Sequence, residues 1–133
     1  RYGLHLPTPA VADVDLIDGE VLELGTLGFE ILHTPGHSLG GCCLRLLVDD
    51  GTDHLFVGDT LFAGSVGRTD IANSGGDFTV LARSIHTRLW PLDPETFVYP
   101  GHGPVTTIGH EKETNPFVGV SAGSGVFGRG KYA

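Results

Sequence analysis

The chain has 133 residues, 40% hydrophobic and 18% charged, a balance that suits one globular domain burying roughly two thirds of its unfolded surface. A formal net charge of −8 works against polyanion partners, so neither nucleic acid nor an anionic membrane is expected to bind, and an anionic substrate would need a local cationic anchor. No apolar run is long enough to span a bilayer, and the adjacent Cys42 and Cys43 would point to opposite faces of one strand, which indicates neither a disulfide framework nor a Cys-type zinc site; a reducing cytoplasm is the expected location.

The stretch through Pro9 is turn-rich and reads as irregular. Asp18-Gly19 forms a turn, after which Val21–Leu24 and Phe29–His33 read as two short strands of a hairpin turning at Gly25. Cys42–Val48 and His54–Val57 read as a second strand pair joined by the polar residues 49–53. Residues 61–76 read as a glycine-rich loop. A helix is predicted from an Asp77 N-cap to about Trp90, with Phe78, Leu81, Ile85 and Leu89 on its buried face and Arg83, His86 and Arg88 on the solvated one. Pro91 ends it. Thr96–Tyr99 is a strand, and Thr107 caps a last short helix that contains Glu111 and stops near Asn115-Pro116. Residues 119–133 are predicted to be a flexible Gly/Ser-rich tail, leaving 1–118 as the folded domain. The chain contains no Met and begins with Arg1, which suggests a fragment or a processed product.

Three segments stand out chemically: His33-Thr34-Pro35-Gly36-His37, Gly58-Asp59-Thr60 and Tyr99-Pro100-Gly101-His102-Gly103. Each sets a metal-binding side chain among Gly or Pro directly after an apolar run, where the backbone must leave the strand and present the side chain at the rim of a sheet. Pro35 and Gly36 rule out a helical His33/His37 ligand pair, so His33 is read as a strand-end residue and His37 as the ligand candidate. Asp59 is either a turn-capping carboxylate or one that bridges two cations. A loop histidine such as His102 is often simply exposed. The shared strand-then-turn placement of His37, Asp59 and His102 is what argues for a metal site.

The same segments, with the Phe56-to-Asp70 run and the Thr106-to-Phe117 run, closely resemble the metallo-β-lactamase superfamily, in particular its glyoxalase II-like hydrolases without the extra helical domain. That resemblance implies an α/β fold, the back half of an αβ/βα sandwich with a mixed sheet and flanking helices. It implies that His37 serves one of two divalent metal ions and His102 the other, with Asp59 bridging them; zinc is the first choice, with iron and manganese as alternatives. The family's remaining ligands come from a His-x-His-x-Asp-His motif, and the sequence has none. His37, Asp59 and His102 alone leave each ion short of the four donors a stable zinc site needs.

The resemblance therefore implies an enzyme that hydrolyses a glutathione thioester such as S-lactoylglutathione through a metal-bound hydroxide, once a missing N-terminal half or a complementing chain is present. Without that half the inner face of the sheet would lie uncovered, and the isolated chain is expected to be inactive. Arg68 is either the anchor for a substrate carboxylate or an ion-pair partner of Asp70. Two other readings stand beside this one. The Gly67-Arg68-Thr69-Asp70 segment also resembles a mono-iron persulfide dioxygenase, and the chain could be a non-catalytic half-domain that completes a partner's site.

Overall fold

A computed structural model describes residues 16–48, 53–70 and 75–120. The expected irregular opening, most of the connector at 49–53 and residues 121–133 of the expected tail lie outside the described residues. In chain order the elements are β1 (Val21–Leu24), β2 (Leu27–His33), β3 (Cys42–Leu47), β4 (His54–Gly58), β5 (Leu61–Phe62) and β6 (Ser65–Val66), then α1 (Phe78–Ser84), β7 (Phe97–Pro100), β8 (Thr106–Thr107) and α2 (Ile108–Thr114).

Both expected strand pairs form. β1 and β2 are antiparallel around Gly25, whose φ of 63° is left-handed and suits glycine. β2 pairs antiparallel with β3, and β3 with β4. β4 pairs parallel with β7, and β7 antiparallel with β8, giving one six-stranded mixed sheet in the order β1-β2-β3-β4-β7-β8. The loop expected at 61–76 contains a small hairpin, β5–β6, turning at Gly64 with φ 77°.

Asp77 caps α1 as predicted, its side chain accepting from the Val80 N–H at 3.1 Å. The helical stretch runs on through a π-helical turn, Ile85–Leu89, so that the Trp90 N–H reaches the carbonyl of Ile85. The wider turn keeps Ile85, Leu89 and Trp90 in the core while Arg83 stays in solvent and the exposed His86 sets its Nε2 3.0 Å from the Val118 carbonyl oxygen. Arg88 is more than a solvated charge: it pairs with Asp18, whose carboxylate also accepts the His33 N–H at 2.7 Å. Thr107 caps α2 by accepting from the His110 N–H. The chain after α2 stays attached for a few residues, since Val118 is buried and the Gly119 N–H bonds the Asn115 carbonyl. Among the described residues no helix is long and apolar enough to cross a membrane.

Strand alternation splits the side chains between two faces. Cys43, Leu55, Val57 and Val98 point to one side and join Leu81, Ile85 and Leu89 of the helical stretch and Ile108 of α2 in the core. The other side carries aromatic rings. Phe56 stacks on Tyr99 at 5.0 Å, Phe29 meets Phe56 edge-on at 6.2 Å, and His54 lies between Phe97 and Tyr99 at 5.7 and 5.8 Å. This face remains partly open, with Phe56 40% and Phe97 39% exposed.

Candidate metal centre

The pairing directions decide where the three Gly/Pro-framed turns fall. β2 and β4 are each antiparallel to β3, and β7 is parallel to β4, so β2, β4 and β7 all run the same way. Their C-terminal ends share one edge of the sheet, and the segments carrying His37, Asp59 and His102 leave from those ends. A bulge between Phe56 and Gly58, with Gly58 at φ 55°, turns Asp59 out of the β4 ladder, and the Gly101 N–H donates to the Gly58 carbonyl at 2.8 Å.

Each turn is anchored. The Asp77 N–H donates to the Gly36 carbonyl, and the Ser84 hydroxyl donates to the Pro35 carbonyl, both at 2.7 Å. Gly36 sits so close to α1 that a Cβ there would lie 2.2 Å from the Leu81 Cα. Beneath the turns, the buried Thr34 hydroxyl lies 3.4 Å from the Cys43 thiol and 3.5 Å from the Thr60 hydroxyl, linking the residue after β2 to the residue after Asp59. Burial pushes the Cys43 thiol up to about 11, so it is a packed neutral group rather than a nucleophile.

His37, Asp59 and His102 line one recess of about 230 Å³ together with Phe62, Gly67 and Arg68. A larger hollow of about 400 Å³ near Asp53, Asp93 and Thr107 has no imidazole, so size alone does not locate the chemistry. The His37 Nδ1 lies 2.7 Å from the Arg68 carbonyl oxygen. A carbonyl can only accept, so Nδ1 carries a proton, and it is Nε2 that offers a lone pair when the ring binds a cation. That Nε2 faces Oδ2 of Asp59 at 3.5 Å, while Nδ1 of His102 faces Oδ1 at 3.2 Å.

These separations suit donors to shared cations. Two donors about 2.1 Å from one tetrahedral ion lie about 3.4 Å apart. An imidazole lone pair directed at a carboxylate oxygen is unfavourable until a proton or a metal ion comes between them. The donor set therefore fits half of a carboxylate-bridged centre, with one imidazole on each side of Asp59. It is also incomplete: among the described residues no group of three or more His, Cys, Asp or Glu side chains lies close enough to hold one ion. His33 stays outside, exposed at the end of β2, with its Nε2 3.1 Å from the Leu39 carbonyl oxygen.

Arg68 lies at the mouth of the recess, where its guanidinium pairs with Asp70 at 3.0 Å and is 65% exposed. The hydrogen bond to Asp70 raises the Arg68 pKa, and its counterpart lowers that of Asp70. So exposed a pair is weakly held in water. Two residues of the recess were not singled out in the sequence. Phe62 meets the His102 ring edge-on at 5.8 Å, and Gly67 packs so tightly that a Cβ would fall 1.7 Å from the Asp59 carbonyl oxygen. The glycine next to Arg68 was a visible signal for the second; only tertiary contact reveals the first.

The family model of the metallo-β-lactamase superfamily matches residues 2–102, and the chain belongs to that superfamily. Among its relatives is the hydroxyacylglutathione hydrolase GloC of Haemophilus influenzae, 44% identical over 101 residues, covering 76% of this chain and 45% of that protein. Solved structures that share the fold include the following two. The BLEG-1 B3 metallo-β-lactamase is 46% identical with a TM-score of 0.72, covering 80% of this chain and 49% of that one. ETHE1 from Myxococcus xanthus is 36% identical with a TM-score of 0.74, covering 86% of this chain and 49% of that one. The chain spans about half the length of these relatives. The mixed sheet with its flanking helices is thus part of a metallo-β-lactamase fold, and the superfamily is one of metal-dependent proteins, hydrolases for the most part.

Proposed function

We propose that this chain supplies the His37, Asp59 and His102 side of a dinuclear hydrolase centre that cleaves a glutathione thioester of the S-lactoylglutathione type. The remaining ligands come from a front half, on the same polypeptide or a complementing chain. The observation that carries this reading is Asp59 itself, whose two oxygens each face a different imidazole nitrogen at 3.5 and 3.2 Å, as a bridging carboxylate requires. The similarity to GloC supports the thioester class.

Divalent ions at this centre, zinc before iron or manganese, would supply Lewis acidity and bring the pKa of water towards neutrality. The chain's own residues do the rest of what is assigned to it. The Arg68 carbonyl holds His37 in the tautomer that offers Nε2 to the recess. Asp59 supplies the negative charge that offsets a dication pair. Phe62 gives the recess an apolar wall that limits water beside the reacting bond. Arg68 exchanges its exposed partner Asp70 for a carboxylate of the glutathione moiety. A thiolate leaves as an anion, so the step asks no general acid of this chain. The half-open aromatic face of the sheet, with Phe56 and Phe97, is where the front layer of the sandwich would pack.

The test is to measure bound metal and S-lactoylglutathione hydrolysis for the 133 residues alone and for the same chain with a front half supplied. Turnover only in the completed protein, abolished by Asp59→Ala without loss of fold, is the expected result. Full activity from the chain alone would overturn the half-site reading. Iron as the sole metal, with oxygen uptake on glutathione persulfide and sulfite formed, would replace the hydrolase by the dioxygenase that the Gly67–Asp70 segment also resembles. A completed protein that binds metal and turns over neither substrate would refute both.

A further inference from the structure

We propose that Glu111 is a positioning residue for the candidate metal centre: its buried carboxylate ties the hairpin carrying Phe62 to the strand that follows the His102 turn. The inference rests on the reading of His102 as a ligand. Glu111 is fully buried on α2, where a carboxylate is costly unless its oxygens are satisfied. Oε1 accepts the Gly64 N–H at 3.0 Å and the Asn115 amide at 2.9 Å, and Oε2 accepts the Thr106 hydroxyl at 2.6 Å. These three donors are neutral.

The placement of those donors matters more than their number. Gly64 is the tip of the β5–β6 hairpin, and Thr106 opens β8, the first strand after the His102 turn. One carboxylate therefore joins the hairpin that carries Phe62 to the strand that returns from the His102 turn. Asn115, one helical turn further along the same face, adds to it by donating its second amide proton to the Ser65 carbonyl at 3.1 Å, with the Phe62 carbonyl 3.5 Å from the same nitrogen. Its side-chain oxygen, Oδ1, accepts the N–H groups of Phe117 and Val118.

His102 needs such support. Its side chain is 75% exposed and meets Oδ1 of Asp59 and the edge-on ring of Phe62. Its backbone is tied on one side, where the Gly101 N–H bonds the Gly58 carbonyl at 2.8 Å, and on the other runs into Gly103 at φ 84°. With Phe62 held from behind by Glu111 and Asn115, the ring has a fixed wall, and the return of the chain at Thr106 is clamped to the same carboxylate. A role in overall stability alone could be met by apolar packing in place of a buried charge.

The experiment uses the completed protein, this chain with its front half supplied, and three variants, Glu111→Gln, Thr106→Val and the double substitution, read by the nuclear Overhauser contact between the Phe62 and His102 rings in the metal-free form and by the Zn2+ dissociation constant. Glu111→Gln should weaken the ring contact and raise the Zn2+ dissociation constant about tenfold, as loss of an outer-shell support does. The His37 ring signals should stay in place. Thr106→Val should move both readouts the same way, and the double variant should be no worse than Glu111→Gln, because Thr106 acts through the Glu111 carboxylate. An unchanged ring contact in folded Glu111→Gln, additive effects, or His37 signals displaced as far as those of His102 would each overturn the proposal. Should Glu111→Gln fail to fold, Thr106→Val decides alone, an intact ring contact refuting the role. Because the ring contact is read without substrate or metal, it stands or falls independently of thioester turnover.

Discussion

Replacing Gly67 with Ala adds a single methyl group at the most crowded point of the candidate centre. That carbon would lie 1.7 Å from the Asp59 carbonyl oxygen and 3.2 Å from Nδ1 of His37. Real Cβ contacts do not fall below 3.0 Å, so the two segments must part by about 1.3 Å. If Asp59 retreats, its carboxylate leaves the positions 3.5 and 3.2 Å from the two imidazoles. If residue 67 retreats instead, it carries away the Arg68 carbonyl that bonds His37 at 2.7 Å. Either route disorganises the donors. Overpacking of this kind costs about 1–3 kcal/mol of stability, and a misplacement of about 1 Å at a reacting centre costs about a hundredfold in rate. Thermal melting, Zn2+ affinity and turnover of the completed protein measure these effects, with Gly40→Ala as the control because a Cβ there meets nothing within 4 Å. A Gly67→Ala protein matching Gly40→Ala in all three would refute the account of the site.

Asp18 is the first of two further tests. Its carboxyl is held below the usual 3.8, chiefly by the His33 N–H bond and then by Arg88. A lowered folded pKa contributes stability that is complete above the unfolded value and is lost as pH falls through the folded one. The stability gap between wild type and Asp18→Ala, from urea melts, should therefore hold from neutrality down to about the usual carboxylate pKa and close below it; a gap unchanged in strong acid would contradict the pairing. The second test concerns the thiols. Burial raises the pKa of half-buried Cys42 and takes that of fully buried Cys43 to about 11, so iodoacetamide at mildly alkaline pH should modify native Cys42 slowly and spare Cys43 until unfolding. Equal labelling rates in the native protein would show that Cys43 is not packed as described.

What could be read from the sequence was local. The hairpin around Gly25, the Asp77 and Thr107 caps and the stop after Thr114 each depend on residues within a few positions of one another, and each forms as expected. The ligand candidates were legible for the same reason, since Pro and Gly beside His37, Asp59 and His102 act on their own neighbours. The chemical alternatives at Arg68 were legible too, and the structure places its side chain against Asp70 while leaving it at the mouth of the recess. The π-helical turn was not, because it arises from fitting Ile85 to Trp90 over the sheet rather than from propensity.

The sequence by itself thus determined which side chains could meet a metal and which turns would present them. Only the tertiary structure decided that they converge. Convergence depends on the parallel pairing of β4 with β7, which brings Phe56 beside Tyr99 and Gly58 beside Pro100 across a crossover through α1. Such long-range pairing is set by burying Leu55, Val57 and Val98 under α1, a collective packing event that no short window encodes. The same holds for Glu111, a solvent-facing residue by composition, which the fold buries beneath the hairpin behind the recess, where its charge is met by donors up to 47 positions away in the chain.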